Sequence, residues 1–413
     1  MAVSGMALAV TIFFAICGCS PKAPPEQGAA RETAPPSTAI KPAATASESI
    51  AVGTRWLLAQ QAEDGGWHSS VYGQMRGGVG DTGLAVYALS RAQKGMPDGD
   101  NRKSVQAGVA RGAKFLFAQL ADPEHSELRD GADYPTYAAA LLLLSLPESH
   151  GAGSPEREPI ERVLAYMRSS QQTAPQGWKP EDLQFGGWNQ TGGAATDAQR
   201  PGNTNVSVTC FALEALRAHQ TLDEATSAAA LQFLGRCQNF DEWAADAHRG
   251  DGGFFFTPEA DDPLNKAGVE SGATPPRPHS YGSPTADGLC ALAACGVKAN
   301  DARAAAAIDW LARQDKVDVV PGFAAPESEG EDEPDGASAA EGLRFYYYAA
   351  LARVIRAYPE AKFAERKTEL IAEIIRRQRP DGSWQNANNV MREDDPLIAT
   401  SLAIAALGIL SAK

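Results

Sequence analysis

A chain of 413 residues with 44% hydrophobic content can bury a large core, which excludes a disordered protein. Its net charge of -14, with a pI near 5.0, offers no basic surface for a phosphate backbone and so excludes nucleic acid as a partner. Nor does any run of Lys and Arg suit an anionic lipid surface.

The first nineteen residues hold an apolar run, Met6 to Ile16, too short to span a bilayer. It reads as an export signal over residues 1–19. Its end, Ile16-Cys17-Gly18-Cys19, resembles a bacterial lipobox, which implies lipidation at Cys19 and a membrane-anchored protein of the bacterial cell envelope, on the periplasmic face. No Lys or Arg precedes the apolar run, so simple secretion and an uncleaved anchor stay open. Residues 20–49 are Pro, Ala, Ser and Thr with scattered charge, a composition that cannot repay its ordering entropy and predicts a flexible tether. The folded domain is expected over 50–413.

Within that domain an apolar helical segment ends in Gln, breaks at a glycine turn carrying an aromatic residue, and resumes as an alanine-rich helix. Gln61 is followed by Gly65-Gly66-Trp67, Gln172 by Gly186-Gly187-Trp188, and Gln238 by Gly252-Gly253-Phe254. Gln314 is followed by Gly322-Phe323 and Gln378 by Gly382-Ser383-Trp384, while a degraded copy has Gln119 before Asp130-Gly131. The first helix of each pair is amphipathic, as in RVLAYMRSSQ, and belongs outside; the second, as in YAAALLLLSL, is apolar nearly all round and must be buried. Six such hairpins are satisfied by a closed ring of inner helices within a ring of outer ones, an all-α α6/α6 toroid.

This repeat resembles that of squalene cyclases and protein prenyltransferase β-subunits, and SYGSPTADGL, GLRFYYY and RQRPDGSW look like the exported bacterial prenyltransferase/squalene-oxidase-repeat proteins, a group whose activity is largely unassigned. The resemblance implies that the Gln side chain ties the end of an outer helix to neighbouring backbone while the aromatic residue packs over the turn. It does not carry the family's chemistry across. The acid motif of squalene cyclases matches best at Gly78-Val79-Gly80-Asp81-Thr82, which keeps only the last Asp; the zinc element of prenyltransferases is matched by Glu341-Gly342-Leu343-Arg344, with leucine in place of the thiolate. No metal and no cofactor is expected.

What remains is a cup bordered by long segments before the inner helices, at 68–80, 189–204, 255–282, 324–340 and 385–395. The run Arg344 to Tyr348 predicts at least one ring facing the cup, with Tyr346 and Tyr347 as candidate ligand contacts and Arg344 for a polar end, against packing between helices as the plainer reading. His279 and Tyr281 sit where the family's rim residues sit, with loop hydrogen bonding as the alternative. Asp81 and Asp395 are expected to cap inner helices, Asp395 also standing as a ligand candidate. Asp287, a turn into its helix, is the best single acid candidate, with Asp81 behind it. The six acids from Glu327 to Asp335 read as a solvated loop, with calcium as the alternative. Cys210, Cys290 and Cys295 lie in apolar helical runs and are expected as free thiols.

Three functions follow as expectations. The first is a toroid holding an apolar ligand, whether a lipid, an isoprenoid or a peptide segment. The second is a divergent terpenoid-cyclase-type enzyme. The third is an (α/α)6 carbohydrate-active enzyme, which needs paired carboxylates on the floor of the cup.

Overall fold

The structure is a computed structural model. It describes residues 45–412, apart from 97–98, 121–132, 147–155, 192–203, 241–249, 261, 271, 273–275, 315 and 324–335. The signal, Cys19, most of the tether, the acidic run from Glu327 to Asp335 and the turn at Asp130-Gly131 lie outside the described residues.

The described chain is helical, and its helices pair in chain order as α1 (Ala46–Ala59) with α2 (Val79–Gln93), α3 (Asp100–Leu120) with α4 (Pro135–Ser145), and α5 (Arg157–Ser169) with α6 (Val206–Ala218). There follow α7 (Glu224–Arg236) with α8 (Gly282–Ala294), α9 (Ala302–Ala312) with α11 (Arg344–Ala357), and α12 (Lys367–Arg376) with α13 (Pro396–Ser411); a short α10 (Gly336–Gly342) precedes α11. The even-numbered helices α2, α4, α6 and α8, then α11 and α13, each pack on the next, and α13 packs on α2 to close the ring. No helix of the described residues is long and apolar enough to cross a membrane.

Residue pattern accounts for the two layers. Outer α5 buries Ile160, Val163, Leu164 and Met167, one stripe at helical spacing. Inner α13 buries every residue from Ala399 to Leu410. The first helix starts earlier than the tether boundary expected at 49, because Thr45 and Glu48 form a capping box that satisfies two otherwise orphaned donors. Close approach in the inner ring depends on small residues: a Cβ on Gly408 would lie 2.7 Å from the backbone nitrogen of Ala92, where α13 meets α2.

The Gln-aromatic break is a repeated clasp. The Gln61 side chain donates to the carbonyls of Gly65 and Gly108, Gln238 to those of Gly252 and Arg303, and Gln378 to those of Gly382 and Ser49. Each therefore ties its own turn to the next outer helix, and Gln378 does so from the last outer helix to the first. In the third unit the clasp is made by Gln171, to Gly186 and Thr226, and not by the expected Gln172, which accepts from Thr204. Gln314 bonds back to Trp310 of its own helix, so the fifth unit lacks the clasp. Gly186 takes the left-handed φ of 92° at this turn, and a Cβ there would lie 1.9 Å from the carbonyl oxygen of Ala229.

The aromatic residue completes the joint. Trp67, Trp188, Phe254 and Trp384 are fully buried, and the backbone N–H of each donates to a threonine hydroxyl on the following inner helix: Thr82, Thr209, Thr285 and Thr400. The indole nitrogens of the three tryptophans donate to Leu57, Met167 and Ile374 near the ends of the outer helices.

Candidate functional site

The four threonines fix which side of each inner helix faces outward. A residue two places away is turned by about 200° and faces the axis of the ring. By this register Leu84, Ser207, Phe211, Ser283, Asp287, Ile398 and Leu402 point inward. On α11 the inward residues are Tyr346, which reaches Ser207 and Asp287, and Arg353, which reaches α6 and α8. The partial exposure of the inward-facing Leu84, Tyr346 and Ile398, and of Glu214, marks an opening along the axis, the axial well, with two different walls. Helices α2 and α13 present Leu84, Ile398 and Leu402, whereas α6, α8 and α11 present hydroxyls and charge.

The polar wall is one connected network. Arg353 donates from Nη1 to Asp287 at 2.9 Å and from Nη2 to Glu214 at 2.8 Å, so one guanidinium holds two carboxylates side by side. Asp287 also accepts from the Tyr346 hydroxyl at 2.6 Å, and Tyr346 shares a hydrogen bond with Ser207. Burial pushes the Asp287 carboxyl above its ordinary range while Arg353 and Tyr346 pull it back. The two carboxylates differ in access: the Asp287 side chain is 1% exposed and that of Glu214 is 24% exposed. Above them lie aromatic rings. Phe211 meets Tyr87 and Tyr137 edge to face at 6.3 and 5.9 Å, and the Arg353 guanidinium lies 4.0 Å from the Phe211 ring centre.

Sharing Glu214 with this network, the donor atoms of Cys210, Glu214 and Cys290 lie within 4.8 Å of one another. Arg353 Nη2 donates to Cys210 Sγ at 2.7 Å, so the place a cation would take is held by the guanidinium. Cys210, Cys290 and Cys295 are free thiols, and so is Cys237, at the end of α7.

A second group gathers at the rim, where α2, α4 and α13 begin. Asp81 is 2% exposed, and neither of its oxygens makes a well-formed hydrogen bond, although the nearby backbone N–H of Ser69 pulls on its carboxyl. Burial, reinforced by Asp395 and Asp133, raises its carboxyl well above the ordinary range, against the opposing pull of the Ser69 backbone and Arg392. The expected cap role of Asp81 belongs instead to Asp133, which accepts from Val79 and Gly80, the first two residues of α2. Asp395 does cap α13, through Leu397, and accepts from Ser69 at 2.6 Å. Arg392 lies over the rings of Tyr72 and Tyr134, 5.4 and 5.3 Å from their centres, and donates to the Tyr134 hydroxyl. Asp133, Tyr134 and Arg392 all hold left-handed backbone, at φ of 72°, 53° and 63°. Strain of that kind persists where surrounding structure over-determines it.

The structure sorts the remaining candidates. Of the two tyrosines proposed for the well, Tyr346 faces it, while Tyr347 is 2% exposed and packed between helices. Arg344 is half-buried and pairs with Glu341 at 2.9 Å, so it is occupied outside the well. Tyr281 is buried and packs on Phe323 at 5.3 Å before the start of α8. His279 is exposed, and its backbone N–H donates to Gly268 in the loop hydrogen bonding that was the plainer reading. Glu214, Arg353 and Asp133 were missed. Glu214 and Arg353 read as ordinary polar faces of apolar helices; the signal for Glu214, a charge five places after the clasp threonine Thr209, becomes visible only once that threonine is known, and Arg353 on α11 has no such marker. Asp133 stands just before its helix and caps a different one.

No protein-family model matches the sequence, and no curated protein is similar to it. Solved structures share its architecture. A possible GH105 family member from Salmonella enterica subsp. enterica serovar Paratyphi A is 14% identical over 89% of this chain and 93% of its own, with a TM-score of 0.52. An unsaturated glucuronyl hydrolase specific for heparin is 11% identical over 87% and 96%, at 0.49. The type II terpene cyclase MstE from Scytonema is 16% identical over 89% and 97%, at 0.48. The chain is thus an α/α toroid, the fold expected from the hairpin count. At these identities the likeness speaks to the fold alone.

Proposed function

We propose that the axial well binds a small polyhydroxylated ring, a saccharide unit, and that the protein is a carbohydrate-active toroid. The observation that carries this is the polar wall: Asp287 and Glu214 stand together on Arg353, beside hydroxyls of Ser207 and Tyr346 and under the rings of Tyr137 and Phe211. A sugar offers hydroxyls to such carboxylates and an apolar face to such rings. A purely apolar ligand would cover the partly exposed Glu214, whose Oε1 takes no part in the network, at a cost in binding. In chemistry at the well, the exposed Glu214 is the carboxylate open to a ligand. The buried Asp287 holds Tyr346 and Arg353 in place. Calorimetric titration with a panel of neutral and acidic oligosaccharides tests the reading. Binding is expected to fall at least about tenfold in Tyr137→Ala and Tyr346→Phe with melting temperature nearly kept. Binding of isoprenoids in place of every sugar tried would sink it.

A second reading rests on Asp81. A buried carboxyl at the rim, raised well above its ordinary range and one turn before Leu84 on the same helix, suits protonation of an alkene and keeps the lipid or isoprenoid ligand in view. Turnover of an isoprenoid that is lost in Asp81→Asn, with the fold intact, would favour it.

We also propose export and lipidation at Cys19, which places the toroid at the periplasmic face of a bacterial membrane. The Ile16 to Cys19 segment and the Pro-rich stretch after it support this. Metabolic labelling with a fatty-acid probe is expected for the wild type and absent in Cys19→Ser; an unlabelled wild type would overturn it.

A further inference from the structure

Cys210 on α6 and Cys290 on α8 are both buried, on neighbouring inner helices that pack on each other. A thiol buried in an apolar helix ordinarily serves as a small hydrophobe. The surroundings of these two are of another kind. Their sulfurs and a carboxylate oxygen of Glu214 lie within 4.8 Å of one another, and the Arg353 guanidinium donates to Cys210 Sγ. A base, a cation and two thiols therefore share one small volume, and Glu214, the partly exposed member, connects it to the axial well.

Each group has a use in thiol oxidation, where the thiolate and not the thiol is the nucleophile. Burial raises the Cys210 thiol well above its ordinary range, with Cys290 adding to the rise and Arg353 working against it, so the pair rests as a dithiol. Glu214 is placed to take the Cys210 proton as the thiolate forms, and Arg353 to hold the charge that results. The second sulfur has a short way to travel, from within 4.8 Å to a bonding distance of about 2.0 Å.

We propose that Cys210 and Cys290 are a redox pair, which hydrogen peroxide converts to a disulfide that cross-links two helices of the polar wall. The Cys210 sulfur attacks one peroxide oxygen as the O–O bond breaks, which gives a sulfenic acid and a hydroxide; the hydroxide takes the proton from Glu214 and leaves as water. Cys290 then attacks the sulfenic sulfur, the S–O bond breaks, and the departing hydroxide takes the Cys290 proton as a second water. Two thiols lose two electrons in all, and one peroxide is reduced to two waters. The bond joins the helices that carry Ser207, Glu214 and Asp287, so the redox state of the pair bears directly on the wall of the well. The chemistry is that of the thiols, so the proposal stands whether or not a saccharide binds there.

The test treats the intact protein with hydrogen peroxide in native buffer, then unfolds it and alkylates the remaining thiols with N-ethylmaleimide. Alkylation of Cys210 and Cys290 is expected to fall at least about tenfold, with peptide mapping showing one joined to the other, because proximity favours their reaction. Cys237, buried to the same degree, is the internal control and should keep its full alkylation. Dithiothreitol should restore both lost thiols. In Cys290→Ser the sulfenic acid at Cys210 has no thiol to resolve it and should be captured by dimedone. Unchanged alkylation of the pair, equal loss at Cys237, or a link that forms only in urea would overturn the proposal.

Discussion

Replacing Arg353 by methionine leaves two carboxylates on the polar wall without their shared cation, and Asp287 cannot turn to water. Breaking a buried pair in this way costs about 3–5 kcal/mol, so the urea midpoint of Arg353→Met should fall sharply. Adding Asp287→Asn should recover much of the loss, since the uncompensated charge is then gone. A double variant no more stable than the single one would mean that Arg353 acts by packing on Phe211. Two other carboxyls set the response to pH. Glu393 accepts from Phe345, Tyr346 and Asn386, yet burial raises it from an ordinary 4.5 to about 7; burial likewise lifts Asp133 from 3.8 to about 6. Between the ordinary and raised values the folded chain holds protons that the unfolded chain has released, so rising pH favours unfolding. Their contribution is complete below about pH 4 and is lost as pH rises through 6 and 7, at about 1.4 kcal/mol per pH unit for each group. Urea unfolding should therefore find the protein more stable at pH 5 than at pH 8, with the difference reduced in Glu393→Gln.

At the scale of the helix pair, the clasp was legible because it repeats: Gln, a glycine turn and an aromatic residue announce themselves in any one copy and confirm themselves in the others. Its chemistry was half legible. The threonine that receives the aromatic backbone N–H is a common residue in an alanine-rich helix, and nothing in a single helix marks it. Substituting either kind of residue separates the two contributions. Trp188→Ala and Trp384→Ala remove rings of zero exposure and should each cost about 3–5 kcal/mol. Thr209→Val keeps the volume but strands the buried N–H of Trp188, for about 1–3 kcal/mol. Thermal unfolding of the three variants checks the order, and an unshifted Thr209→Val would show that the hydroxyl is dispensable. The slip from Gln171 to Gln172 has a local cause: two adjacent glutamines offer the same side chain, and only the facing carbonyls of Gly186 and Thr226 choose between them. In the aromatic run of α11 the sequence predicted at least one ring facing the cup, and helical rotation turns Tyr346 inward and Tyr348 outward to Glu373.

For the whole molecule the ring itself was legible, since six hairpins with wholly apolar second helices have few other ways to bury them, but the lining of the well was not. Whether an inner helix shows Leu84 or Asp287 to the axis depends on rotations set by joints far apart in sequence. Closure rests on small residues, so Gly408→Leu should force α13 from α2 and cost about 1–3 kcal/mol or more, seen as a lower urea midpoint and faster proteolytic nicking. The same closure bears on how the chain is made. Hairpins can fold one after another as they leave the ribosome, yet the flank of α2 that α13 will cover waits for the final helix. Until then the curl of hairpins is a solenoid with a bare apolar end, prone to stick to a neighbour, and the joining of its ends is its least local contact and so its slowest step. A chain cut short before Pro396 would accordingly be a client of chaperones and proteases instead of a smaller version of the protein.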